Sequence, residues 1–187
     1  MIDKDILNIP SVNLQLMVTD CFGREDKEDV LLDSVLAYGK GLVLTANEAE
    51  ANAVRAFLDE LDTGAEVVIE TFGGESRAED ADFAFLVHWN LPHSLEEYCR
   101  DLGRVGRDGR SVFCELLVDC EELERILGDR SREETPAARL QRTLINWTCE
   151  PGCRRKALLN YLGVWTPLDA CGLCDNCAEM SVANMPF

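Results

Sequence analysis

Apolar residues along the first two thirds of this chain recur with two alternating periods, two residues and then three to four, so strands and helices are expected in turn. Leu14 to Val18 alternates as a short strand would, and Asp26 to Tyr38 carries Leu31, Val35 and Tyr38 at helical spacing. Gly41-Leu-Val-Leu-Thr45 predicts a buried strand running into Asn47. Val54, Phe57, Leu58 and Leu61 stand at i, i+3, i+4 and i+7, an amphipathic helix that ends near Gly64. Glu66 to Glu70 reads as another strand. Gly73-Gly74 breaks the pattern, an acidic loop follows, and Phe83 to His88 forms a continuous apolar strand with His88 as a core or rim residue. Ser94-Leu-Glu-Glu97 is a capping box that opens a helix through Leu102, and Val112 to Val118 is the last strand. Such alternation predicts an α/β fold, a parallel sheet with helices on its faces.

After Glu121 the pattern turns helical, with Leu140, Leu144 and Trp147 along one face. The polar, charged stretch from Arg130 to Pro136 marks a boundary, which predicts an α/β unit over residues 1–130 and a small helical unit over 131–187. The 187 residues suffice for one good core with a modest appendage. No stretch approaches the eighteen or so uncharged apolar residues of a membrane span, and Met1-Ile2-Asp3-Lys4-Asp5 has no apolar signal region. An intracellular, soluble chain without membrane contact is expected.

The net charge of −17 opposes nucleic-acid binding, but it is unevenly spread. Residues 1–99 hold six Lys/Arg against twenty-one Asp/Glu, whereas residues 100–187 hold twelve against fourteen. Within the second half Arg100, Arg104, Arg107 and Arg110 gather, then Arg139 and Arg142, then Arg154, Arg155 and Lys156. These clusters can meet phosphates or can form a solvated face.

Cysteine spacing adds chemistry. Cys153 is followed, after seventeen residues, by Cys171-Gly-Leu-Cys174-Asp-Asn-Cys177. Four soft donors so arranged suit a tetrahedral structural zinc, with no open position for catalysis. A disulfide cluster would need an oxidising compartment. Cys149, in Cys149-Glu-Pro-Gly-Cys153, competes for the fourth place, while Cys21, Cys99, Cys114 and Cys120 suit packing as small hydrophobes. Gly103-Arg104-Val105-Gly106-Arg107-Asp108-Gly109 is a second candidate site. Its glycines allow a tight turn, and two arginines three apart can aim at one anion, as arginine fingers do at a γ-phosphate. A surface turn without a ligand would have the same composition.

Together, Tyr98 through Gly109, Cys153-Arg154-Arg155, Leu158-Leu159-Asn160-Tyr161-Leu162-Gly163 and the C-terminal cysteine run closely resemble the C-terminal half of the RecQ family of ATP-dependent DNA helicases. Val12-Asn13-Leu14-Gln15 and Gly41 to Thr45 look like the beginning of the second RecA-like lobe, and Phe83 to Pro92 like the strand before helicase motif VI. The resemblance implies a RecA-like parallel sheet with flanking helices, followed by a small helical zinc-binding domain. It implies Cys153, Cys171, Cys174 and Cys177 as the zinc ligands, in preference to Cys149. Arg107 is then the arginine finger and Arg104 its partner at a nucleotide held between lobes. Arg154 and Arg155 become the basic pair beside the metal, serving helix packing or contact with a DNA backbone. The partners implied are single-stranded or forked DNA and a first RecA-like lobe or an intact helicase, with the nucleus as location in a eukaryote.

The chain also departs from the family. Arg100 stands where a glutamine is usual, and the stretch from Leu61 to Phe83 is short by about one βα unit. Either Thr71-Phe72-Gly73 represents motif V or that motif is missing. No G-x-x-x-x-G-K-[ST] phosphate loop and no Asp-Glu-x-His segment occurs, so ATP and Mg²⁺ are expected only within a complete helicase. The ten residues after Cys177 leave no room for a winged-helix domain. A non-catalytic DNA- or protein-binding module derived from such a helicase is the competing expectation.

Overall fold

A computed structural model describes residues 13–73, 82–128 and 135–178. Among the described residues the elements follow one another as β1 (Leu14–Cys21), α1 (Arg24–Tyr38), β2 (Lys40–Thr45), α2 (Glu48–Leu61), β3 (Glu66–Thr71), β4 (Phe85–His88), α3 (Leu95–Leu102), β5 (Val112–Asp119), α4 (Cys120–Gly128), α5 (Pro136–Thr148) and α6 (Arg154–Tyr161). The strands form one parallel sheet in the order β1-β5-β4-β2-β3. The α/β expectation therefore holds: this is a RecA-like sheet with flanking helices. Strand β1 runs three residues past Val18, because Thr19, Asp20 and Cys21 continue the register against Leu117, Val118 and Asp119.

Local chemistry sets the helix starts. The Asn47 side chain accepts from Glu50 N–H at 3.0 Å and opens α2, and Ser94 Oγ accepts from Glu97 N–H at 3.1 Å and opens α3. Glu97 does not close the capping box on Ser94. Its carboxylate reaches one residue further back, accepting from the His93 amide at 2.7 Å. Gly41 is required by packing: a Cβ there would lie 2.2 Å from the Phe85 ring of the paired strand.

The faces of the sheet are covered differently. On one, Val43, Phe85, Val87 and Leu117 pack against Leu31, Val35 and Val54 of α1 and α2. The other carries Leu14, Leu16, Leu42, Leu44, Leu86, Cys114 and Leu116. Helix α3 has eight residues and cannot cover this face alone. Leu144, Ile145 and Trp147 of α5, Leu158 of α6, and Cys153, Cys174 and Cys177 complete the same core. Leu140 differs from its expectation and is exposed, because only the C-terminal half of α5 reaches the sheet. The expected boundary at 130–136 falls largely outside the described residues, as does the acidic loop over 74–81. Cys21, Cys99 and Cys114 pack in the interior, where burial pushes the Cys21 thiol up to about 11 and Cys99 to about 12. Cys120 is half-buried. Among the described residues no helix is long and apolar enough to cross a membrane.

Candidate metal centre and arginine turn

Cys153, Cys171, Cys174 and Cys177 converge, their sulfurs all within 4.8 Å of one another. The Sγ atoms of Cys171 and Cys177 are 3.9 Å apart. A tetrahedron with Zn–S bonds of roughly 2.3 Å has edges of about 3.8 Å, so the donor set fits a closed zinc shell. Burial pushes the Cys174 thiol up to about 12. Cys149 is exposed at the C-cap of α5 and lies outside the group.

Each ligand is placed by local structure. Cys153 is the residue immediately before α6. Gly172, with φ of +70°, turns the chain between Cys171 and Cys174. The Asn176 amide donates to the Glu150 and Gly152 carbonyls at 2.8 and 2.7 Å, which ties the loop before Cys153 to the knuckle.

Arg154 and Arg155, expected as a basic pair that packs a helix or meets a DNA backbone, are both buried. Arg154 Nε and Nη2 each lie 3.0 Å from an Asp175 carboxylate oxygen, and Nη1 donates to the Trp147 and Thr148 carbonyls at 3.0 and 2.7 Å. The Arg155 guanidinium donates to the Leu14 carbonyl. These guanidiniums are committed inside the molecule, and contact with a phosphate would require giving up those bonds. The knuckle also meets the sheet: Leu16 N–H donates to Leu173 C=O at 3.2 Å, Cys174 forms a parallel bridge to Leu16, and Val18 N–H donates to Asp175 Oδ2 at 3.1 Å.

The arginine turn joins α3 to β5. Gly106 has φ of +66°, and a Cβ there would come within 2.8 Å of the Asn13 side chain and 3.0 Å of Leu14. Asn13 latches the turn, its amide donating to the Gly106 carbonyl at 2.9 Å and to the Arg110 carbonyl. Arg107 is exposed, and its Nε donates to Gly103 C=O at 2.9 Å. Arg104 turns inward to Glu70 of β3 at 2.5 Å and lies 3.8 Å from Asp101. Asp101 is in turn 3.2 Å from the buried His88 ring, which packs beside Phe72 and Tyr98. Arg104 and Arg107 thus serve different sides of the turn. Arg100 is exposed on α3. Asn13, Glu70, Asp175 and Asn176 were not singled out from sequence. The last two stand inside the cysteine run, where they read as spacers.

Residues 117–178 match the RecQ zinc-binding family. The ATP-dependent DNA helicase RecQ of Bacillus subtilis is 27% identical over 124 residues, which span 64% of this chain and 21% of the relative. The ATP-dependent DNA helicase RecQ of Haemophilus influenzae is 30% identical, covering 58% of this chain and 19% of its own length. The ATP-dependent DNA helicase Q5 of Mus musculus is 29% identical, covering 59% and 12%. The chain thus spans about a fifth or less of these relatives. Among solved structures, the yeast DEAD-box splicing factor Prp28 shares the fold with a TM-score of 0.51 at 16% identity, over 85% of this chain and 39% of that one. A variant of S. cerevisiae Dbp5 bound to RNA and ADP BeF3 does so with a TM-score of 0.51 at 17% identity, over 93% and 45%.

Proposed function

Since this chain belongs to the RecQ family, by its zinc-binding domain and its helicase relatives, we propose that it works as the C-terminal portion of a RecQ-like 3′–5′ DNA helicase. In this reading residues 1–130 are the second RecA-like lobe and residues 131–187 the zinc-binding domain. Arg107 is the arginine finger. It reaches ATP held by a first lobe and neutralises charge that builds on the γ-phosphate, while Arg104, braced by Glu70 and Asp101, orients the turn from behind. The observation that carries the reading is an exposed arginine on a turn held rigid by Gly106 and Asn13. Cys153, Cys171, Cys174 and Cys177 hold one structural zinc, which supplies cross-linking and no chemistry at the nucleotide. ATP and Mg²⁺ enter only with a first lobe, the substrate is single-stranded or forked DNA, and a eukaryotic source would place the activity in the nucleus.

The test is complementation. Mixing the chain with the first RecA-like lobe of a RecQ helicase raises ATP turnover in the presence of single-stranded DNA, and Arg107→Ala removes the gain, by about a thousandfold or more if it acts as a finger. No stimulation at any ratio refutes the proposal. The strong acidity of residues 1–99 favours a second reading, a non-catalytic module that binds a protein partner. Binding indifferent to salt would support that reading, because phosphate contacts weaken steeply as salt is added.

A further inference from the structure

The sheet ends in two strands of opposite character. β3 opens with the exposed Glu66, the kind of charge that keeps a strand edge from pairing with another chain. β1 reads Leu-Gln-Leu-Met-Val-Thr-Asp-Cys, with no proline, glycine, lysine or arginine and a carboxylate only at Asp20. Its protection comes from elsewhere in the chain. Residues of a strand present their backbone groups to alternate sides, and Asn13 C=O faces β5, accepting from Val112 N–H at 3.1 Å. The groups of Leu14, Leu16 and Val18 therefore face outward, and each meets the cysteine module. Leu14 C=O accepts from Arg155, Leu16 N–H donates to Leu173, and Val18 N–H donates to Asp175.

We propose that the cysteine knuckle is a metal-set edge of the sheet, and that its release turns β1 into a pairing surface for β1 of a second copy of this chain. The proposal rests on the zinc reading above. Leu173, Cys174 and Asp175 lie within the C-x2-C-x2-C run, so an ion shared by the flanking sulfurs adds to the Arg154–Asp175 and Asn176 bonds in fixing their backbone path. Without the ion the knuckle is held against Leu16 and Val18 by the single helical turn at 175–178 and by the Asp175–Arg154 and Asn176 hydrogen bonds, and when these give way the outward amides lose their acceptors. An antiparallel pair of identical β1 strands satisfies both copies at once, in a twofold contact that closes on itself. The isolated bridge between Cys174 and Leu16 shows that this edge takes a main-chain partner from outside the sheet.

Zinc content, residue-resolved amide exchange and sedimentation velocity test this on the full chain. Exchange is followed before and after chelation at a concentration low enough to keep the chain monomeric. The Leu16 and Val18 amides, which face outward, are expected to exchange at least about tenfold faster after chelation, while those of Met17 and Thr19, which face β5, change less. At higher concentration the stripped chain sediments as a dimer and returns to monomer when zinc is restored. Val18→Pro, which deletes an outward N–H at a position where an edge tolerates proline, stays monomeric after chelation. If that variant does not fold, the exchange pattern of the native chain still decides. A chain that holds no zinc overturns the metal reading and this proposal together. A chain that holds zinc, loses it and keeps Leu16 and Val18 protected overturns the edge proposal alone, as does a uniform loss of protection at all four amides or a stripped chain that remains monomeric.

Discussion

Asp175→Ala isolates the contact that fastens the cysteine module to the sheet. Both members of the Arg154–Asp175 pair are nearly enclosed, with side-chain exposures of 8% and 12%. The carboxylate accepts Arg154 Nε at 3.0 Å from Oδ1 and 3.2 Å from Oδ2, accepts Nη2 at 3.0 Å, and also takes the Val18 amide. Deleting it leaves a buried guanidinium with backbone carbonyls and the Trp147 ring, 5.6 Å away, as its remaining company. Stranding one partner of a buried pair costs about 3–5 kcal/mol. That is a large part of the roughly 5–15 kcal/mol that holds a domain folded. With a urea slope of about 2 kcal/mol per molar, the unfolding midpoint should fall by roughly 2 M. The measurement is urea unfolding with zinc content checked in parallel, so that ligand loss is not mistaken for the effect. The double variant Arg154→Met/Asp175→Leu removes both charges and should cost less than Asp175→Ala alone. A loss below about 1 kcal/mol for the single change would mean that Arg154 is solvated and the reasoning fails.

Cys153→Ser should lower bound zinc well below one per chain while Cys149→Ser leaves it unchanged, measured by elemental analysis; equal losses would return Cys149 to the ligand set. Gly106→Ala forces a side chain into a left-handed position 2.8 Å from Asn13 and should destabilise the chain by more than about 1 kcal/mol in thermal unfolding. Burial raises the Glu115 carboxyl above its ordinary 4.5, against the opposing pull of the Thr19 and Ser34 hydroxyls. An acid raised in the folded chain contributes stability that is fully present below its unfolded value and lost as pH rises through its folded value. Glu115→Gln should therefore gain stability relative to the native chain as pH climbs from about 4.5 towards neutrality; parallel stability–pH curves for the two proteins would refute this.

The alternation of strands and helices, the apolar run of β2 and the cap at Ser94 were legible because each is a local pattern within a few residues. The same holds for Cys171, Cys174 and Cys177, whose spacing is itself the signal, whereas only the family resemblance favours Cys153 over Cys149. What joins them was not legible. Val18 and Asp175 are 157 positions apart, and Asn13 and Gly106 are 93 apart, so neither bond leaves a trace in any window of sequence. Arg154 and Arg155 show the limit most plainly. Two adjacent arginines at the start of a helix read equally as packing or as a surface for phosphate, and only the fold reveals Asp175 and the Leu14 carbonyl beside them. Leu140 satisfies the helical period yet stays in water, since periodicity gives a face and not how far along it the neighbouring layer extends.

Residues 13 to 18 carry a mechanical implication. Asn13 grips the arginine turn, and five residues later Val18 is gripped by the cysteine knuckle, so less than about 20 Å of extended backbone links the two. An extended strand is stiff along its length. A tug on the metal module, of the kind a bound polymer would exert, is therefore delivered to the seat of Arg107 with no hinge in between.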